Sequence, residues 1–317
     1  MYREEIKVLD CTIRDGGLIN NHYFTDEFVR AVYKAVSEAK IDYMEMGYRA
    51  SRQMSPPSKY GAWKYCDDDK IREIIDGIES ETKISIMIDA HRIQEQEFKP
   101  VDQSPVDVIR VATYVKDVDK AIAACQRVHD LGYETTINIM ALSKENEFDL
   151  VEALDQLAKT PAGTIYIVDS YGYFFSEQIH YMADLYFKHL PGKRIGIHCH
   201  NNQQLAFANT IEGIRKGCNL VDGSLFGIGR GAGNCPLELI MGFLKNPKFR
   251  LDPILKVIQD YMIPIREELE WGYLIPFMIT GILNRHPEVA IKMRKTENKN
   301  KYVEFYNEIL SEPDVVA

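Results

Sequence analysis

The segment Ile197-His198-Cys199-His200-Asn201-Asn202 sets two imidazoles two residues apart in a stretch that reads as a buried strand. Alternate strand residues point the same way, so His198 and His200 converge while Ile195, Ile197 and Cys199 face the opposite, apolar side. That is metal-ligand spacing, although two core histidines satisfied by hydrogen bonds would show it too. Near the N-terminus a second apolar strand, Val8-Leu9-Asp10-Cys11-Thr12-Ile13, runs into Arg14-Asp15-Gly16-Gly17. One carboxylate with two neutral imidazoles is a workable ligand set for a divalent cation.

Those side chains need a scaffold that brings distant segments together. Strand-like segments fall at 7–14, 42–48, 83–89, 106–113, 134–141, 164–169, 194–200 and 220–226. Helix-like patterns lie between them at 26–39, 67–80, 117–131, 146–158, 176–188, 203–217 and 236–245, several opened by a capping residue or proline such as Thr25, Asn146, Ser176 or Pro236. Between the third and fourth strands only a short helix, around 91–97, is expected. Such alternation predicts an α/β fold with a parallel sheet, and eight βα units fit a closed (β/α)₈ TIM barrel better than an open sheet. Closure would set strands one and seven two ladder spacings apart, roughly 10 Å, so inward side chains from both could meet at one ion. Asp15, His198 and His200 would then sit at the carboxyl ends of their strands, where barrel enzymes keep their chemistry. Residues 1–250 are read as the barrel domain and 251–317 as a C-terminal helical extension, with helices at 253–270 and around 277–284. The basic cluster Lys292, Arg294, Lys295, Lys299 and Lys301, interleaved with Glu288, Glu297 and Glu304, reads as a solvated helical surface.

Composition narrows the class. Thirty-eight Lys and Arg against 47 Asp and Glu give a formal charge of −9, which argues against a general nucleic-acid binder. Six scattered cysteines contain no Cys-x-x-Cys pair, so neither a zinc ribbon nor a dithiol redox centre is supported. Reduced cysteines, a charged N-terminus without a signal peptide and the lack of an apolar run near the ~18 residues that span a bilayer predict a cytoplasmic protein that does not enter membranes.

Five ordered motifs resemble the DRE-TIM metallolyase superfamily, the pyruvate-carboxyltransferase or HMG-CoA lyase-like domain, most closely its 4-hydroxy-2-oxovalerate aldolase branch. They are Leu9-Asp10-Cys11-Thr12-Ile13-Arg14-Asp15-Gly16, Met44-Glu45-Met46-Gly47, Val168-Asp169-Ser170-Tyr171-Gly172, Ile197-His198-Cys199-His200-Asn201-Asn202, and the run from Val221-Asp222-Gly223 through Gly229-Arg230-Gly231-Ala232-Gly233-Asn234. The resemblance implies metal binding by Asp15, His198 and His200, with Asn234 a fourth candidate, and contact of Ser170 with the substrate. A 2-oxo acid can chelate such an ion, which stabilises the enolate formed when the C3–C4 bond breaks. Mixed oxygen and imidazole ligands with open positions favour Mn²⁺ or Mg²⁺, with Co²⁺ or Zn²⁺ as substitutes. Arg14, always charged, is suited to donate to the enolate oxygen. Glu45, inward if Met44 and Met46 face the helices, could relay a proton or serve as a structural carboxylate. The glycines around Gly231 could present N–H groups to a substrate anion, or form only a tight turn.

The chain also departs from the resembled aldolases. They carry a histidine base two residues after Arg-Asp-Gly, where this chain has Leu18; His22 is the nearest substitute, read either as that base or as an exposed loop residue without function. Tyr273, in Trp271-Gly272-Tyr273, resembles a C-terminal aldolase tyrosine that acts near the substrate, although Phe277 could occupy that position instead. The expected activity is a divalent-metal-dependent aldolase, a carbon–carbon lyase of class II type, acting on a 2-oxo acid and an aldehyde through a pyruvate-type enolate. An acyl-CoA-dependent Claisen synthase is the first alternative, weakened because the Glu-Gln pair of those enzymes is missing. A catalytically impaired barrel acting as a binding subunit is the second. A homo-oligomer and a dehydrogenase partner both stay open.

Overall fold

The computed structural model describes residues 3–91 and 98–311. Eight parallel strands close into a barrel: β1 Lys7–Asp10, β2 Tyr43–Tyr48, β3 Lys83–Asp89, β4 Val108–Thr113, β5 Glu134–Ile139, β6 Thr164–Asp169, β7 Arg194–Cys199 and β8 Leu220–Gly223. Closure is made by β1, which pairs with β2 on one side and with β8 on the other. The chain is therefore a (β/α)₈ TIM barrel with a C-terminal helical region, as its alternation predicts. The expected caps Thr25 and Asn146 accept from the N–H groups of Phe28 and Asp149, which fixes the starts of helices Asp26–Glu38 and Glu147–Leu157. The helix expected around 91–97 falls almost wholly outside the described residues.

Strand one ends earlier than its apolar run suggests. The Asp10 carboxylate accepts from the Thr12 hydroxyl (2.5 Å) and N–H (3.3 Å), and the chain turns into one helical turn, Thr12–Gly16. Arg14 and Asp15 thus stand on a turn beyond the sheet rather than on the strand. In β2 the register slips between Glu45 and Tyr48, at Gly47. Any Cβ at Gly47 would strike the Trp63 carbonyl, so only glycine permits the irregularity there. Beyond it Tyr48 joins Met87 and Ala112, against which Leu18 and Met140 pack.

The helix expected at 253–270 is present as one continuous helical run, Leu251–Val257 and Ile263–Glu268 joined through the π-helical turn Ile258–Met262, and its first part packs against helix Asp26–Glu38. Helices Ile275–Ile282, Glu288–Arg294 and Tyr302–Ser311 bury a second apolar core of Phe277, Ile279, Ala290, Phe305 and Ile309. Ala232, from the loop after β8, inserts into that core. Asn202 also donates to the Phe277 carbonyl (3.1 Å), and Asn284 to that of Ser143 (2.8 Å). These helices are thereby tied to loops at the carboxyl ends of β5, β7 and β8.

Candidate metal centre

Alternation along β7 sends Ile195, Ile197 and Cys199 into the core between sheet and helices and leaves His198 and His200 on the inner side. Their Nε2 atoms lie 3.7 and 3.9 Å from Asp15 Oδ2. One potential ligand atom from each of the three lies within 4.8 Å of the others, and all three residues are buried. Each imidazole is oriented from behind: His198 Nδ1 faces Asp222 Oδ2 at 3.0 Å and His200 Nδ1 faces the Gly233 carbonyl at 3.2 Å. Protons held on Nδ1 leave both Nε2 lone pairs aimed at the Asp15 carboxylate. Burial holds His200 down to about 3, with Arg230 adding to it and Asp15 opposing, so this imidazole is neutral at physiological pH. For Asp15 burial pushes upward, but Arg14, His200 and His198 override it and hold the carboxyl well below the usual range.

The surroundings fit a cation. Asn234 Oδ1 is a buried acceptor with no hydrogen-bond partner. A Cβ on Gly229 would run into the Asn234 amide and Asp15, so the glycine preserves space between those two groups. The protein is expected to bind one Mn²⁺ per chain, and Asp15→Ala, His198→Ala or His200→Ala to weaken it by at least ~10²-fold, the upper range for losing even an outer-shell partner. Calorimetric titration checks this, and wild-type affinity in a folded His198→Ala/His200→Ala double variant would refute the assignment.

A buried chain of alternating charges supports the cluster. Arg14 pairs with Asp15 and through Nε with Glu45 Oε2 (2.7 Å). Arg110 Nη1 reaches the same Glu45 oxygen (2.9 Å), while its Nη2 reaches Asp222 Oδ2 (2.5 Å). Asp222 then holds His198, which closes the circuit back to Asp15. The guanidinium of Arg110 also lies over the Tyr166 ring, 4.4 Å from its centroid. Glu45 does face inward, because Met44 and Met46 belong to the outer core. Arg110 and Asp222 were not singled out by sequence reasoning, yet both were detectable. Arg110 occupies the inward parity of β4 between the helix-facing Ile109 and Val111, and Asp222 lies inside a quoted motif.

The remaining candidates divide. His22, read above as either a base or an exposed residue, is 1% exposed. Its ring folds over Gly17, where any Cβ would collide with it, and meets Tyr48 edge-on at 5.5 Å. Neither ring nitrogen has a hydrogen-bond partner. Burial, reinforced by Lys64 and Arg14, holds it down to about 3. The Ser170 hydroxyl accepts from the Ala141 N–H (2.9 Å), which leaves its own proton to donate. Gly231 lies beside the Phe277 ring, and one N–H of this loop, that of Arg230, donates to Asp15 Oδ1 (3.0 Å). Tyr273 is 51% exposed, because the segment after Trp271 turns outward and Phe277 is the aromatic that covers the loop. The tyrosine enclosed near Arg14 is instead Tyr48, absent from the sequence-derived set because the β2 irregularity reverses its facing.

Fold and cluster together define a barrel with a candidate metal centre at the carboxyl ends of its strands. The chain belongs to the HMGL-like family, whose profile matches residues 5–259. It is 26% identical over 277 residues to the 4-hydroxy-2-oxovalerate aldolase of Bacillus cereus, covering 85% of this chain and 80% of the relative. Oxaloacetate decarboxylase of Mycobacterium tuberculosis is 28% identical over 248 residues, 77% of this chain and 71% of that protein. Among solved structures, the HMG-CoA lyase of Bacillus subtilis superposes with a TM-score of 0.67 over 84% of this chain and 94% of that one; at 14% identity it shows the shared fold. No helix among the described residues is long and apolar enough to cross a membrane.

Proposed function

We propose that the protein is a divalent-metal-dependent carbon–carbon lyase of the aldolase type, cleaving or forming a bond beside the carbonyl of a 2-oxo acid. The observation that carries this reading is the buried Asp15, His198 and His200 cluster with Arg14 beside it, in a barrel of this family. Relatives named as an aldolase and an oxaloacetate decarboxylase support the substrate class, since both names describe breaking the C3–C4 bond of a 2-oxo acid. Asp15, His198 and His200 would hold Mn²⁺ or Mg²⁺, assisted by Asn234, and the ion would polarise the oxo acid's carbonyl. Six free, buried cysteines suit a reducing, cytoplasmic setting.

The protein's own groups divide the remaining work. Arg14 has Nε and Nη1 committed to Glu45 and Asp15, so Nη2 is the donor left for the substrate's carbonyl oxygen as it gains charge. His22, whose two ring nitrogens have no hydrogen-bond partner, would take the proton from the substrate's C4 hydroxyl. The C3–C4 electron pair then passes to C3 as the aldehyde leaves, and His22 returns its proton to C3 to complete a pyruvate-type product. Ser170 would donate its hydroxyl proton to the substrate. Leu18, in the place of the family histidine, joins the apolar wall of Tyr48, Met87 and Ala112, where an aldehyde's apolar end could rest.

Metal-loaded protein incubated with pyruvate in D₂O tests the enolate half-reaction directly, with loss of the methyl signal expected by NMR. No exchange with pyruvate or any other enolisable 2-oxo acid would leave a binding subunit as the better description. Arg14→Lys should retain metal and lower the exchange rate ~10²-fold, because an ammonium cannot bridge Glu45, Asp15 and the carbonyl oxygen at once. A wild-type rate in that variant would reduce Arg14 to a structural ion-pair partner.

A further inference from the structure

Arg230 lies in the loop between β8 and helix Leu237–Leu244. Its N–H donates to Asp15 Oδ1 (3.0 Å) and its Nη2 donates to the Ser170 carbonyl (3.0 Å). The side chain therefore spans from the candidate metal ligand to the end of β6, and its charge is felt by His200 on the way. Arg14 and Arg110 are each neutralised by carboxylates. Arg230 has no carboxylate partner among the described residues, and its Nε is buried without any hydrogen bond. An uncompensated guanidinium beside a metal cluster, with an unused donor, lacks an anion.

Because the Arg230 backbone is bonded to Asp15, its guanidinium stays within one side chain's length of the metal ligands. That is where a 2-oxo acid presents its own carboxylate, not the far end of its chain. We propose that Arg230 binds the carboxylate of the 2-oxo acid, over Ser170, and so makes the site selective for anionic over neutral carbonyl compounds. Guanidinium and carboxylate are matched in charge and planar geometry, whereas the ester of the same acid offers only weaker neutral acceptors. The inference rests on the oxo acid reading given above.

The test compares wild type, Arg230→Ala and Arg230→Lys, each loaded with Mn²⁺, by calorimetric binding of pyruvate and of its neutral methyl ester and by the kinetics of pyruvate deuterium exchange. Arg230→Ala should raise the Kd and KM for pyruvate about 10- to 100-fold, the range for losing a charge-assisted hydrogen bond. The exchange kcat, the Mn²⁺ affinity and binding of the ester should change less than about threefold. Arg230→Lys should recover part of the pyruvate affinity, and added methylguanidinium should restore part of it to Arg230→Ala. Pyruvate affinity in Arg230→Ala within twofold of a wild type that exchanges normally would overturn this assignment and leave the lyase reading intact. Equal loss of pyruvate and ester binding would also overturn it, by showing that Arg230 only shapes the loop. If metal-loaded wild type neither binds nor exchanges any 2-oxo acid, both proposals fall together.

Discussion

Arg110→Met is expected to lower folding stability by about 3–5 kcal/mol, the range for removing one partner from a buried ion pair. Arg110 is the hinge of the charge circuit, bonded to Glu45 through Nη1 and to Asp222 through Nη2, with the side chains of all three fully buried. Methionine fills similar volume but leaves Asp222 in the barrel interior without a guanidinium partner and Glu45 with Arg14 alone, so Asp222 must take up a proton or admit water. For Asp222, burial pushes the carboxyl upward, and Arg110 and His198 are what bring it below its ordinary value. Without Arg110 the carboxyl should therefore shift back upward and take up a proton more readily. Protonated Asp222 would hold His198 Nδ1–H poorly, so metal affinity should fall as well, by 10- to 100-fold. Urea unfolding and Mn²⁺ titration of the same variant check both effects. A loss under about 1 kcal/mol with wild-type metal affinity would mean that the circuit is an incidental arrangement of charges. Replacing Arg110, Glu45 and Asp222 together by apolar residues should cost less stability than Arg110→Met alone, since no charge is then left unpaired.

What was readable from the sequence follows from how local each signal is. The barrel was legible because most βα units repeat the same short-range cues, an apolar run followed by an amphipathic helix. The Asp15, His198 and His200 cluster was legible because strand parity converges the two histidines, and closure alone then brings them to Asp15. Arg14 was placed on the strand, with Asp15 just past its end, because Ile13 continues the apolar pattern, while the Asp10 and Thr12 hydrogen bonds that end β1 leave it unchanged. Tyr48 was overlooked because a one-residue slip in a strand exchanges its inner and outer faces. Tyr273 and Gly231 were chosen by motif position, but their surroundings depend on how the C-terminal helices pack, and Phe277 took the place over the loop. Arg230 was quoted only as a spacer between glycines, because no spacing rule reveals a missing counter-ion.

His22→Asn should reduce pyruvate exchange by ~10²- to 10⁴-fold, the usual contribution of a positioned base, and should leave the shape of the pH profile between pH 5 and 8 unchanged. An ordinary histidine would impose a loss of activity as pH falls through ~6.5. Burial first, then Lys64 and Arg14, hold His22 down to about 3, so the neutral base persists and no limb from it should appear between pH 5 and 8. The same shift has a stability consequence. Between about 3 and the ~6.5 of the unfolded chain, the unfolded state binds the proton and the native state does not. Stability from keeping His22 neutral is therefore complete above ~6.5 and is lost progressively as pH falls toward 3. His22→Asn should flatten that part of the stability profile while leaving Mn²⁺ affinity unchanged, a combination that neither a damaged metal site nor a misfolded loop would produce. The buried neighbour Tyr48 is the discriminating control: burial pushes its hydroxyl up to about 12, so it keeps its proton and cannot serve as the base. If His22→Asn exchanges pyruvate at the wild-type rate while Tyr48→Phe or Glu45→Gln abolishes exchange, the proton path runs along β2. The exposed Tyr273 predicts no loss on Tyr273→Phe in either case. His22 would then be a buried imidazole enclosed by packing alone, and its strained left-handed backbone, φ 63°, would be the cost of closing the loop over Gly17.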